Sequence, residues 1–551
     1  MQIVTFPLSS VILVPLLGAL LCALTVFLPL GVVVRERVAS AIAVVAALAT
    51  FALLLAFCTN TSGDPLAVIS VHETRPWIPY FGVTFSLALD GISAAFTLLT
   101  AVVTLVVLLW SARPATAGWA WFSLLLLGEA SVLGAFLASD LVLFYVFYEL
   151  MLLPVIAGMA LWGGPRRLNA ALKFLLYTMI GSVLMFLAIL YFGWEGRELL
   201  DDSGNTFAFE VTTLAQLKML TETEEMLLGL AFLIAFAVKV PMVPLHAWAP
   251  DTYREAPHGI AAFTAALLGK VGIYGIIRFV WPLFPGFMLE AGPYVAALGA
   301  LGVVYGALVA MAQKDLRSLL AYSSISHLGF CILGLASASV VAWSGAIFLA
   351  VSHGLVTAGL FLLFGKVIDR EGVREFDGLG GLAQQIPGVA FFLMVFTVAS
   401  VALPLTSSFV GEFLIIMGSW ALFPEWTVVA SLGVVFGAVY MLTAYLRTMF
   451  GESRRAARVG GDLKFSEAAV LSVLTALVVV LGLFPGRLLT VVSSAFPMEL
   501  VVDRGYLAEQ GEGDDGKQAE LEVAPIQHQD SASYGAHQHA HQHAKSDSDF
   551  R

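Results

Sequence analysis

Charge is scarce in this 551-residue sequence: Asp, Glu, Lys and Arg together make up 12% of it, about half the share usual in soluble domains. An ordinary soluble enzyme is thereby excluded. Cysteine is scarcer still. Cys22, Cys58 and Cys331 stand far apart with no CxxC and no Cys/His ligand spacing, which excludes a disulfide framework and a recognisable iron-sulfur or zinc site. No G-x-G-x-x-G occurs in a strand-turn-helix setting and no Walker motif is present, so no dinucleotide or nucleotide triphosphate loop is indicated. Basic residues are also few, 28 Lys and Arg against 39 Asp and Glu for a net charge of -11. That balance speaks against a nucleic-acid partner.

What the sequence has in abundance is apolar surface. Hydrophobic residues make up 59% of the chain, and 50 glycines and 22 prolines punctuate long apolar runs. Both residues are commoner in membrane helices than in soluble ones. The first run, Val11 to Leu30, is longer than a signal-peptide core and has no basic N-terminal flank, which predicts a retained membrane helix. A bilayer core about 30 Å thick takes roughly 20 helical residues per crossing. That ruler predicts about 14 crossings, with centres running from Leu20 to Leu474.

Positive charge stays on the cytoplasmic side of short loops. Most Lys and Arg fall on odd-numbered connections, among them Arg35, Arg37, Arg166, Arg167, Arg254, Lys314, Arg374, Arg447 and Lys464. The opposite side offers Arg75, Arg197, Lys218 and Arg278 beside an acidic stretch from Glu195 to Glu225. Both termini are therefore expected outside. Beyond Asp503 the composition turns polar, which predicts a disordered acidic tail; it bears His528, His537, His539, His541 and His543. Weak metal binding and a merely solvated low-complexity tail are the two readings of those histidines.

Two crossings look interrupted, at VKVPMVPLHAWAPD around Lys239 and at VALPLTSSFVGEF around Glu412. Proline removes a backbone donor, and such a break survives at membrane depth only where protein or water satisfies the freed groups. The breaks lie five crossings apart. A five-helix unit repeated at that spacing would be inverted in its second copy, an arrangement that places transport half-sites at the breaks.

Nine ionisable residues fall within the crossings: Glu129, Glu149, Lys173, Lys239, His246, Lys270, His327, His353 and Glu412. Each charge in lipid costs about 2.5 to 17 kcal/mol, so such groups face the bundle interior and mark a path. Glu129 and Lys173 lie nearer the estimated span ends, where simple pairing or snorkelling serves as well. His327 and His353 also fit the role of hydrogen-bonding glue between helices, and His246 that of a cap on freed carbonyls. A buried lysine loses affinity for its proton and a neighbouring carboxylate restores it. At about 4 Å and an effective dielectric near 20 that neighbour is worth roughly 4 kcal/mol. Lys, His and Glu, with Ser323, Ser324, Ser326, Ser352 and Thr357 between them, therefore suit a proton relay. A central lysine disfavours a resident sodium ion, which wants oxygen ligands.

Six stretches then carry a resemblance. They are DLVLFYVFYELMLLPVIAGMALWG from Asp140, AFAVKVPMVPLHAWAPDTYREAPHGIAA from Ala235, LLGKVGIYGIIRF from Leu267, KDLRSLLAYSSISHLGF from Lys314, SHGLVTAGLFLLFGKVIDR from Ser352 and SSFVGEFL from Ser407. In this order the sequence resembles the M-type (mitochondrial chain 4-like) membrane subunits of respiratory complex I, the proton-translocating NADH:quinone oxidoreductase.

The resemblance implies an all-α integral membrane fold of 14 helices with two inverted five-helix repeats, each holding a broken helix. It divides the chain into residues 1–111 (helices 1 to 3), 112–285 (first repeat), 286–451 (second repeat), 452–502 (helix 14) and the 503–551 tail. It assigns Glu149 and Lys239 as a switching pair, Lys270 as the central lysine, His327 and His353 as the axis between, and Glu412 as the terminal carboxylate. Glutamate at Glu412, where L-type and N-type relatives have lysine, marks the M type. Leu405 and Ser408 stand where glycines are more usual, which leaves the backbone at that break open.

Also implied are a bacterial inner-membrane location, L-type and N-type neighbours, and NADH, FMN, iron-sulfur clusters and quinone in partner subunits, with no cofactor or metal on this chain. The alternatives are a subunit of a multi-chain Na+/H+ antiporter, a ferredoxin-linked relative of complex I, and a scaffold whose charges merely pair.

Overall fold

The computed structural model describes residues 6–59, 69–111, 118–200, 209–216, 220–452 and 461–496. Arg113, Lys218, Arg454 and the tail with its histidines lie outside the described residues.

The chain begins with α1 (Ser10–Leu24) and α2 (Val32–Thr59), continues through β1 (Val71–Ile78) and β2 (Val83–Leu89), and enters α3 (Gly91–Ser111) and α4 (Gly118–Leu137). Next come α5 (Leu141–Leu150), α6 (Leu152–Trp162), α7 (Arg167–Leu200), α8 (Val211–Gln216), α9 (Glu222–Lys239), α10 (Trp248–Glu255) and α11 (His258–Gly275). A π-turn at Ile276–Val280 leads to α12 (Trp281–Leu283), α13 (Pro285–Met311), α14 (Leu316–Ala336) and α15 (Val340–Glu371). The last elements are α16 (Pro387–Ser400), α17 (Ser407–Ser419), α18 (Pro424–Met449), α19 (Phe465–Leu483) and α20 (Gly486–Ser493).

Twelve of these stretches, with α5–α6 and α11–α12 each taken as one, are long and apolar enough to cross a membrane. Burial ranks them. The apolar windows of α11 and α15 are 100% buried and that of α14 is 94% buried, whereas α2 is 33% buried and α19 28%. Three helices form the centre, and the periphery turns apolar side chains outward, as lipid requires.

Helix starts follow capping chemistry. Asp140 accepts from the N–H groups of Val142 and Leu143, Asp315 from Arg317 and Ser318, and Thr221 with Glu224 closes a capping box on α9. Each satisfies amide donors that a helix N-terminus leaves free.

The β-hairpin was not anticipated. Strands β1 and β2 pair antiparallel from Val71 with Leu89 to Ile78 with Val83, turning at Gly82 with φ 65°. The signal was present in β-branched and aromatic residues on both sides of a Pro-Tyr-Phe-Gly turn, but apolar counting obscured it. The hairpin anchors the start of α5, because Thr84 donates its N–H and hydroxyl to Asp140 Oδ2 at 3.0 and 3.1 Å.

Candidate proton-conducting axis

Both expected breaks are present. Helix α9 ends at Lys239, and α10 resumes at Trp248. The freed carbonyl of Val238 accepts the indole N–H of Trp248 at 2.8 Å, so protein rather than lipid satisfies the break. Helix α11 comes tightly against this end. A Cβ on Gly272 would stand 2.8 Å from the Phe236 carbonyl oxygen and 3.2 Å from the Val240 nitrogen.

In the second break, Val401 to Thr406 separate α16 from α17. Ala402 at φ 57° and Leu405 at φ 77° both lie in the left-handed region, where an L side chain is strained. The geometry that the sequence left open at Leu405 is thus one that glycine adopts freely. Ser408, by contrast, sits in regular helix, and its hydroxyl bonds Ser352 Oγ at 2.9 Å.

A third irregularity escaped the sequence reading. The crossing that holds Glu149 is divided at Met151 into α5 and α6. Pro154 explains it, since it offers no N–H to the carbonyl of Leu150 four residues back.

Lys239 is completely buried, and its Nζ has no hydrogen-bond partner. It lies 4.1 Å from the centroid of the Tyr148 ring, within cation–π range. The Tyr148 hydroxyl donates to the Ala235 carbonyl at 3.0 Å, which holds the ring between α5 and α9. Glu149 Oε1 is likewise buried and unpartnered. The Lys239 ammonium thus forms no hydrogen-bonded ion pair with it.

The remaining four predicted residues meet in one chain of contacts. Lys270, fully buried on α11, donates to the Ala265 carbonyl at 2.7 Å and meets His353 Nδ1 at 2.8 Å. With lysine as donor, Nδ1 accepts and the His353 hydrogen resides on Nε2, which is buried without a partner. The rings of His353 and His327 are 5.5 Å apart between centroids. His327 Nδ1 stands 3.1 Å from Glu412 Oε1, and the Ser400 hydroxyl approaches its Nε2 at 3.4 Å. Lys270 on α11, His353 on α15, His327 on α14 and Glu412 on α17 thus link the central helices to the second break. No described hydrogen bond joins Lys239 to Lys270, and none joins His353 to His327, so the six residues fall into an open pair and a row of two bonded couples whose imidazole rings stand side by side.

The hydroxyls sit beside the row. Ser326 donates to the Val303 carbonyl at 2.9 Å and Thr357 to the His353 carbonyl at 2.5 Å. Ser352 bonds Ser407 and Ser408, and Ser323 bonds the Tyr440 hydroxyl. Lys173 pairs with Asp251 at 2.7 Å near the surface, and His246 meets the Tyr305 hydroxyl at 3.2 Å. Glu129 differs from its expected place: it stands mid-helix on α4, entirely buried, with both oxygens unpartnered. Among the described residues no group of three or more His, Cys, Asp or Glu is arranged to hold a metal ion.

Comparisons place this geometry. The family model described as "NADH:quinone oxidoreductase/Mrp antiporter, TM" matches residues 138–437. NADH-quinone oxidoreductase subunit M of Rickettsia conorii is 37% identical over 423 residues, which cover 76% of this chain and 84% of the relative. Among solved structures, a chain of respiratory complex I from Thermus thermophilus with bound NADH aligns with a TM-score of 0.78 at 34% identity, covering 90% of this chain and 100% of that one. A chain of the membrane-bound sulfane sulfur reductase, an archaeal respiratory membrane complex, aligns at 0.77 and 27% identity over 89% and 78%.

Proposed function

The chain belongs to the family of NADH:quinone oxidoreductase and Mrp antiporter membrane subunits, and from that premise we propose that it is a proton-translocating subunit of a bacterial NADH:quinone oxidoreductase. It acts within the translocase without a redox centre of its own. NADH oxidation through FMN and iron-sulfur clusters, and quinone reduction, belong to partner subunits, and L-type and N-type antiporter-like chains are its membrane neighbours. The observation that carries the reading is the buried row Lys270, His353, His327, Glu412, with contacts of 2.8 and 3.1 Å at its ends. Four titratable groups sunk in a membrane core in mutual reach have a cost that only a path for charge explains.

Glu149 and Lys239 form the switch. When the carboxylate approaches, Lys239 holds its proton; when the pair opens, the proton is released toward Lys270. Lys270 passes it to His353, whose exchange of tautomers turns an acceptor into a donor, and His327 delivers it to Glu412 for release. The open state of the Glu149–Lys239 pair, with the Tyr148 ring against Lys239, supports a switch that needs a conformational step. Twelve crossings together with two interrupted ones give the expected fourteen, and the breaks at Lys239 and before Glu412 fit inverted repeats over 112–285 and 286–451. An even number puts both termini on one face, and the excess of Lys and Arg on the odd-numbered connections supports the outer one.

The test is made in the assembled complex. Glu149→Gln and Lys239→Ala are expected to leave assembly intact and to lower protons moved per electron. Normal pumping in both, with normal assembly, removes the assignment. The likeness to the sulfane sulfur reductase chain favours a second reading, a relative of complex I with a different electron donor. Copurification of the chain with an NADH-binding subunit decides between them.

A further inference from the structure

A cavity of about 210 Å³ opens beside α14 and α18, lined by Gln313, Phe376, Tyr440, Thr443 and Arg447 among others. Its mouth is on the side of the basic loops: Arg447 is half-exposed and pairs with the exposed Asp377 at 3.0 Å, and Gln313 precedes Lys314. Tyr440, Thr443, Ala444 and Arg447 follow at helical spacing on one face of α18, so the wall descends about 10 Å from Arg447 to Tyr440. Tyr440 is buried, and its hydroxyl contacts Ser323 Oγ at 2.9 Å.

Ser323 lies one turn before His327 on α14, about 6 Å along the axis and on the same face. Ser324, three residues before His327, has a buried hydroxyl without a partner. A surface cavity therefore ends on the Tyr440–Ser323 hydroxyl couple, one helical turn from His327 of the buried row.

We propose that the Tyr440–Ser323 hydroxyl couple is the inner gate through which protons pass between water in this cavity and His327. The proposal rests on the proton-conducting reading of the row and adds a branch that reaches it at His327, apart from Glu149. In one inward hop a hydrated proton joins Tyr440 Oη as the tyrosine's own proton moves to Ser323 Oγ, and the serine's proton moves on past Ser324 to His327. Three O–H bonds break, two O–H bonds and one N–H bond form, and one proton is displaced. Rotation of the hydroxyls resets the couple.

The experiment uses the assembled complex in sealed membrane vesicles. Tyr440→Phe keeps the ring and removes the hydroxyl. Its proton pumping per electron is expected to fall about tenfold or more, the range in which a lost proton donor shows. Ser323→Ala is expected to fall likewise, and Ser323→Thr to recover. Normal pumping in Tyr440→Phe and Ser323→Ala overturns the gate. Glu149→Gln in parallel separates the two readings: if it too pumps normally the proton reading itself fails, and if it alone is impaired only the gate fails. A second measurement does not depend on those variants. Thr443→Cys is expected to react with a charged, water-soluble thiosulfonate and to lose pumping on modification, whereas absence of reaction shows a dry cavity and overturns the proposal.

Discussion

His327 joins the imidazole pair to the terminal carboxylate: its ring centroid stands 5.5 Å from that of His353, and its Nδ1 meets Glu412 at 3.1 Å. His327→Gln keeps polarity but loses the paired ring nitrogens that let imidazole accept and donate together. Pumping is expected to fall by an order of magnitude, measured as quenching of a pH-sensitive dye against NADH consumption. His246→Gln serves as the contrast, since His246 bonds only Tyr305 and stands off the row; its pumping is expected to stay near normal. At the same scale Leu405, at φ 77°, carries strain of roughly 1 to 2 kcal/mol. Leu405→Gly is expected to raise the thermal midpoint of the detergent-solubilised complex slightly, partly offset by the larger unfolded-state entropy of glycine. A lowered midpoint speaks against strain at this position.

At the scale of elements, the two breaks hold together by different means. The first depends on Trp248, whose indole satisfies the Val238 carbonyl. Trp248→Phe leaves that buried acceptor bare at a cost of about 1 to 3 kcal/mol and also unseats the end of α9 that bears Lys239. Loss of thermal stability together with lowered pumping is the expected pair of readouts. The breaks themselves were legible, because Pro241, Pro244 and Pro404 stand inside apolar runs beside charged residues, and proline removes a helix hydrogen bond. The charged residues were legible for the same reason, as costly exceptions in a hydrophobic sequence. Three features were not. The division at Met151 was hidden by a single Pro154 in an otherwise uniform run. The hairpin at Val71–Leu89 was hidden by the search for long apolar windows. The mid-helix burial of Glu129 was hidden because apolar runs fix span ends only loosely. The packing of Lys239 against the Tyr148 ring depends on side-chain placement, which no periodicity encodes.

At the scale of the molecule, the buried trio α11, α14 and α15 carries three of the four residues of the row, and the less buried helices screen it from lipid. The resemblance carried the assignment of all six site residues, whereas residue chemistry alone supplied only the set from which they came. The orientation expected from loop charge is tested directly. Alkaline phosphatase fused after Arg551 is expected to be active in a bacterial host, because the even number of crossings returns the chain to the outer face. A fusion that is present at normal abundance but inactive, its disulfides unformed in the reducing cytoplasm, reverses the orientation and, with it, the side on which the Tyr440 cavity opens.

One contact gives the periphery a mechanical role. Helix α19 is fastened to α15 near its start by Lys366 and Glu467 at 3.1 Å, and near its other end Gly482 lies so close to the Leu405 carbonyl that a single added methyl would overlap it. The second break is therefore braced by the last long crossing as a hinge pin is braced by its plate. Displacement of that outer strut is expected to reach the bend, seven residues ahead of Glu412, before it reaches the carboxylate itself.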